Sequence, residues 1–148
     1  MKPAIFLRIA SVLTLIHSVL HTVGGVFGSP GPGAAAVAYA AMQSNRFLLV
    51  GHLRSYADFY RGLGLGVTIF LTVDALVFWQ LASLAKTDAA RLRPILGVFL
   101  AGYLVFSVNS HFYFFIGPVI AELLIVACLA GALFSAKPLE TMAAARQA

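Results

Sequence analysis

Two histidines, His17 and His21, stand four residues apart in the stretch LIHSVLHTVGG, inside the first apolar segment of the chain. Two carboxylates, Asp74 and Glu122, and one tyrosine, Tyr103, lie inside later apolar runs. An imidazole and a carboxyl group held in a low-dielectric pocket suit general acid–base work. Lipid supplies no hydrogen bonds. An unpaired carboxylate at midspan costs about 2.5–3.5 kcal/mol on insertion scales. Such groups therefore face a bundle interior or a wet cavity, and they pair there.

The histidines are not scattered on their helix. At about 100° per residue, Ser11, Thr14, His17, Ser18 and His21 fall in one stripe roughly 120° wide. Ile9, Val12, Ile16, Val19 and Val23 take the opposite face. Depth separates the polar residues into two tiers. At a rise of about 1.5 Å per residue, His17, Asp74 and Tyr103 lie about 18, 17 and 14 Å from the inner span ends. His21, Glu122 and Asn109 lie about 24, 21 and 22 Å up. The expected pairs are thus His17 with Asp74 near midplane and His21 with Glu122 nearer the outer surface. Tyr103, Ser107 and Ser110 share one face of their helix, and Asn109 points away from it. The outer loop can add His52, Arg54, Asp58 and Arg61 near the mouth of such a pocket, and Tyr103, Asn109, Tyr60 and His111, at a span end, are further candidates to bind a ligand.

The elements that must carry these residues follow from composition. The 148 residues are 61% hydrophobic and 10% charged, against about 25% charged in a soluble domain. Mean hydropathy is +0.94. A water-facing surface cannot be built from this set, so the chain reads as an integral membrane protein. A span needs roughly 20 apolar residues, and four segments qualify, at about 5–27, 59–85, 94–114 and 118–136. The expected fold is all-α, a single four-helix transmembrane bundle. The first segment also has the start of a signal peptide, but its apolar run is longer than the usual h-region, so it is read as a span. Only a tight turn at IGP separates the last two spans, which should form a helical hairpin.

The outer loop, 28–58, opens on the breaker run GSPGPG and continues with AAAVAYAAMQ. A short interfacial helix is expected there. HFYFF at 111–115 reads as an outer aromatic belt and Trp79 as part of an inner one. Lys2, Arg8, Lys86, Arg91, Arg93, Lys137 and Arg146 fall on one side, and Arg46, Arg54 and Arg61 on the other. This bias puts both termini in the cytoplasm.

The net charge of +5 does not point to nucleic acid, because the basic residues are scattered and sit at span ends. The lone Cys128 allows no intrachain disulfide and no Cys-based metal motif. GLGLG at 62–66 has no preceding strand and is not a nucleotide loop. Its Gly62 and Gly66 form a GxxxG pair suited to close helix contact, within the bundle or with a second copy.

HTVGGVFG at 21–28, SYADFYRGLGL at 55–65, FWQLASLAKTD at 78–88 and FFIGPVIAE at 114–122 together resemble a family of small bacterial four-helix integral membrane proteins. More distantly, the layout is similar to DoxX-like membrane proteins, some of which are linked to quinol or thiol redox chemistry. The resemblance covers nearly the whole chain. It implies a multi-pass protein of the bacterial inner membrane and supplies no activity.

Two functions are weighed most heavily. One is an outer-leaflet-facing polar pocket that binds or processes a lipid-like or quinone-like small molecule, with His21 and Glu122 as the proton-transfer pair. The other is an accessory subunit of a larger membrane complex, whose polar residues only fix helix packing. Haem fits poorly, because His17 and His21 project from one helix in nearly the same direction and cannot sandwich one iron. No metal site is assigned, and the cofactor stays open. A proton path is disfavoured because the polar tiers stop near midplane.

Overall fold

A computed structural model describes residues 2–136. Lys137 and Arg146, which the charge bias above includes, lie outside the described residues. Helix α1 spans Lys2–Leu20 and passes into a π-helical turn at His21–Val26. Helix α2 is Ala34–Ser44, and strands β1, Arg46–Leu49, and β2, His52–Ser55, follow it. Helix α3 is Tyr56–Asp88, and a 3-10 turn at Ala90–Leu92 leads into α4, Arg93–Tyr113. Helix α5 is Ile116–Ser135. Among the described residues, four helices are long and apolar enough to cross a membrane: Lys2–Val26, Tyr56–Asp88, Ala90–Tyr113 and Ile116–Ser135. They match the expected spans to within a few residues, and the chain is a multi-pass membrane protein by their length and apolarity.

The chain divides into two compact units, Met1–His17 with Thr72–Ala148, and Ser18–Leu71. In the first unit, α1, α3, α4 and α5 bury one stripe each. Ala4, Leu7 and Ala10 meet Phe78, Leu81, Ala82 and Ala85, with Leu96 from α4 and Ile125, Leu129 and Ala132 from α5. The three- and four-residue spacings keep each set on one helix face. Small residues let backbones approach where lipid gives no hydrophobic drive. The Ser11 hydroxyl donates to the Ala75 carbonyl at 2.6 Å, tying α1 to α3.

Helices α4 and α5 form the expected hairpin, but Ile116, Gly117 and Pro118, where the turn was expected, already open α5. Two extended residues, Phe114 and Phe115, link them. At the other end of the pair, the Arg93 guanidinium donates to the carbonyls of Leu133 and Ala136, at 2.9 and 2.6 Å. The last carbonyls of a helix have no intrahelical donor, and a cation is favoured there. Arg93 therefore closes the C-terminus of α5 from the first turn of α4.

In the second unit, α1 and α3 meet through a polar ladder. Ser18 donates to the Thr68 carbonyl at 3.1 Å, and the Thr22 and Thr68 hydroxyls lie 2.9 Å apart. Gly64 is the glycine of close approach, because a Cβ there would stand 2.9 Å from Val26. A Cβ at Gly62 or Gly66 would meet nothing within 4 Å. Within the second unit the close approach is therefore at Gly64 and not at the Gly62–Gly66 pair.

The loop at 28–58 holds more order than expected. Helix α2 occupies the predicted place, with no buried residue. The β-hairpin β1–β2 is a departure from the all-α reading. Its strands pair Arg46 with Ser55 through Leu49 with His52. Phe47 packs on Tyr56 and Phe59 at 5.1 and 5.9 Å between ring centroids. Ser55 then starts α3 with a reciprocal cap. The Ser55 N–H donates to the Asp58 carboxylate at 2.8 Å, and the Asp58 N–H donates to the Ser55 hydroxyl at 3.2 Å, an arrangement that satisfies two orphan donors of the first turn.

The hairpin turn is Val50–Gly51, with φ of 44° and 79°. Two positive values in a two-residue loop belong to the turn that matches strand twist and that Asn-Gly favours. A β-branched residue there is strained. Val50 is 90% exposed, so its side chain offsets none of that strain by packing. Val50→Asn is expected to stabilise the hairpin by about 1 kcal/mol. Amide exchange in Arg46–Ser55 would show this as slower opening, and unchanged or faster exchange would count against strain at the turn.

Candidate functional site

Within the first unit, all four helices contribute polar side chains to one region. Helix α1 presents Thr14 and His17, α3 presents Asp74, α4 presents Tyr103, Ser107 and Ser110, and α5 presents Glu122. All but the half-buried Asp74 are buried. The spacings of four and three residues put the α4 set on one face.

Two hydrogen-bonded pairs organise the region. The Tyr103 hydroxyl donates to the Asp74 carboxylate at 3.0 Å. The Ser110 hydroxyl donates to Glu122 Oε1 at 2.7 Å. Tyr103 is positioned by aromatic packing, with Phe78 5.9 Å away between centroids and Phe78 itself edge-on to Phe99 at 4.9 Å. The Thr14 hydroxyl lies beside the phenol, while it donates to its own helix at Ala10. The phenol is also within electrostatic reach of both carboxyl groups.

Glu122, like Thr14, is fully enclosed, at 0% exposure. Among the described residues its second oxygen, Oε2, has no hydrogen-bond partner. A buried carboxyl oxygen without a donor costs about 1–3 kcal/mol. The arrangement therefore leaves one strong hydrogen-bonding position open at the centre of the unit.

His21 lies in the second unit, at the start of the π-helical turn. Its Nε2 is 3.1 Å from the Gly64 carbonyl. A carbonyl only accepts, so Nε2 carries the proton, and a neutral ring keeps its lone pair on Nδ1. The ring lies over Gly25, where a Cβ would come within 3.4 Å of Nδ1. The turn is closed by the Phe27 N–H donating to the Thr22 carbonyl at 3.0 Å. Such π-turns recur at functional sites.

The remaining candidates are exposed. Asn109 and His111 lie on α4, and the His111 ring meets Phe112 edge-on at 5.5 Å. His52 and Arg54 lie on β2, with Arg54 donating to the Leu53 carbonyl, and Tyr60 lies on the first part of α3. Among the described residues, no group of three or more His, Cys, Asp or Glu side chains is placed to hold a metal ion.

Ser110 is the site residue that depth matching missed. It stands next to Asn109 in the chain, and the depth argument chose the neighbour. The signal that finds it is the face it shares with Tyr103, seven residues away. No family model, curated protein or solved structure matches the chain.

Proposed function

We propose that this is a bacterial inner-membrane protein whose buried acid–hydroxyl site binds a lipid-like or quinone-like small molecule. The observation that carries the reading is the open Oε2 of Glu122. A ligand hydroxyl donates to this oxygen when the carboxyl group is ionised, and a ligand carbonyl accepts from it when Oε2 carries the proton. Ser110 fixes Oε1, so the proton exchanged with the ligand sits on or leaves Oε2. The Tyr103–Asp74 pair provides a second polar anchor in the same unit. The site opens toward the outer leaflet in this reading.

Both termini are cytoplasmic in this proposal. Among the described residues, Lys2, Arg8, Lys86, Arg91 and Arg93 group on one side of the spans, against Arg46, Arg54 and Arg61 on the other. The exposed, apolar α2 suits the outer interface, where its alanine-rich face meets headgroups.

The test is an organic extract of the purified protein, analysed by mass spectrometry, with decylubiquinone as an added probe. The wild type is expected to retain an amphiphile in near-stoichiometric amount, and Glu122→Gln to lose it while staying folded. Identical extracts, with no difference in probe retention, would sink the reading. A second reading as an accessory subunit is favoured by one observation: each carboxyl group ties α4 to a neighbouring helix. It predicts a fixed protein partner that co-purifies and is lost with the same variants.

A further inference from the structure

At the N-terminal end of α1, a groove of about 480 Å³ is lined by Ala4, Ile5, Arg8, Ile9 and Lys86. All five belong to the first unit. The lining combines two cations with an apolar floor. The Arg8 guanidinium lies over the Trp79 ring, 3.8 Å from its centroid. The stacking holds the guanidinium's plane against an aromatic face and leaves its edges available. Neither Arg8 nor Lys86 has an acidic partner among the described residues, where the ion pair is Arg91 with Asp88 at 2.9 Å. Ile5 and Ile9 stand one turn apart on the exposed face of α1.

We infer that this groove is a binding site for one anionic phospholipid of the surrounding leaflet. The phosphodiester sits between the Arg8 guanidinium and the Lys86 ammonium. Trp79 lies at the glycerol level, where indole rings concentrate, and an acyl chain runs along Ala4, Ile5 and Ile9. Charge complementarity selects the headgroup. The apolar floor selects a lipid over a free anion. Cations that serve topology alone need no shared groove and no aromatic seat. The inference rests on the membrane placement of the four helices and is independent of the chemistry at Glu122.

Native mass spectrometry of the full chain, released from vesicles of equal phosphatidylglycerol and phosphatidylcholine, tests it. The wild type is expected to retain phosphatidylglycerol in preference to phosphatidylcholine. Arg8→Gln and Lys86→Gln should each weaken that preference about five-fold. Arg91→Gln, at a cation already paired with Asp88, should leave it unchanged. Trp79→Leu keeps both charges and should still weaken retention, which separates a seated guanidinium from bulk charge. Equal retention of the two lipids by the wild type would overturn the inference. So would an equal loss in Arg91→Gln, or displacement of the lipid by inorganic phosphate at comparable concentration.

Discussion

Glu122→Ala is expected to destabilise the purified protein by about 2–3 kcal/mol, and Glu122→Leu to leave it unchanged or slightly more stable. The two variants differ in what they leave behind. Alanine removes a fully enclosed side chain and opens a cavity, which costs about 2–5 kcal/mol at a typical core site. It also strips the Ser110 hydroxyl of its acceptor. Part of that is offset, because Oε2 no longer sits buried without a donor. Leucine removes the same orphan oxygen and fills the space. The Ser110 hydroxyl then turns back to the carbonyl four residues earlier, a bond serines in helices readily make. Thermal and denaturant unfolding in one fixed detergent would measure both. Leucine as damaging as alanine would mean that the carboxyl group is needed for stability, and the open position at Oε2 would lose its force as a sign of a ligand.

The second large effect is expected at Tyr103. Tyr103→Phe should cost about 1–3 kcal/mol, because it leaves the Asp74 carboxylate half-buried without its donor. Asp74→Leu should cost less, since the phenol keeps the Thr14 hydroxyl beside it. The double variant should be milder than Tyr103→Phe alone, because neither half of the pair is then stranded. The shortfall from additivity isolates the interaction, and about 1.5–3 kcal/mol is expected for a hydrogen bond to a charged group. Additive losses would show that the Tyr103 hydroxyl acts through a neighbour other than Asp74, such as the Thr14 hydroxyl beside it.

The spans were legible because hydrophobic length is a property of the chain itself. Twenty apolar residues make a span whatever they pack against. The α4–α5 hairpin was legible for the same reason, since only a tight turn fits between two such runs. The β-hairpin was not. Its turn residue is Val50, and valine hides a geometry that asparagine would have advertised. The capping pair of Ser55 and Asp58 was visible in SYAD, and it marks the start of α3 three residues before the apolar run begins.

The polar pairs were half legible. Periodicity put Tyr103, Ser107 and Ser110 on one face. Depth then matched Glu122 to Asn109 and His21, although an error of one residue in a span end moves a side chain by about 1.5 Å along the axis and turns it by about 100°. Face is therefore the sharper criterion. The same rule finds Gly64. It continues at helical spacing through the half-buried Thr68 into Leu71, Ala75, Phe78, Ala82 and Ala85, which are buried. Gly62 and Gly66 do not.

Arg93 gives the last hairpin a mechanical character. The α4–α5 pair is clasped at both ends, by the two-residue link at Phe114–Phe115 and by the guanidinium on the carbonyls of Leu133 and Ala136. A pull applied at Ser135 loads the Arg93 grip before the helices can slide or peel. Extraction by such a pull is expected to show the two helices leaving in a single step, and two separate steps on a force trace would show that the grip does not hold them together.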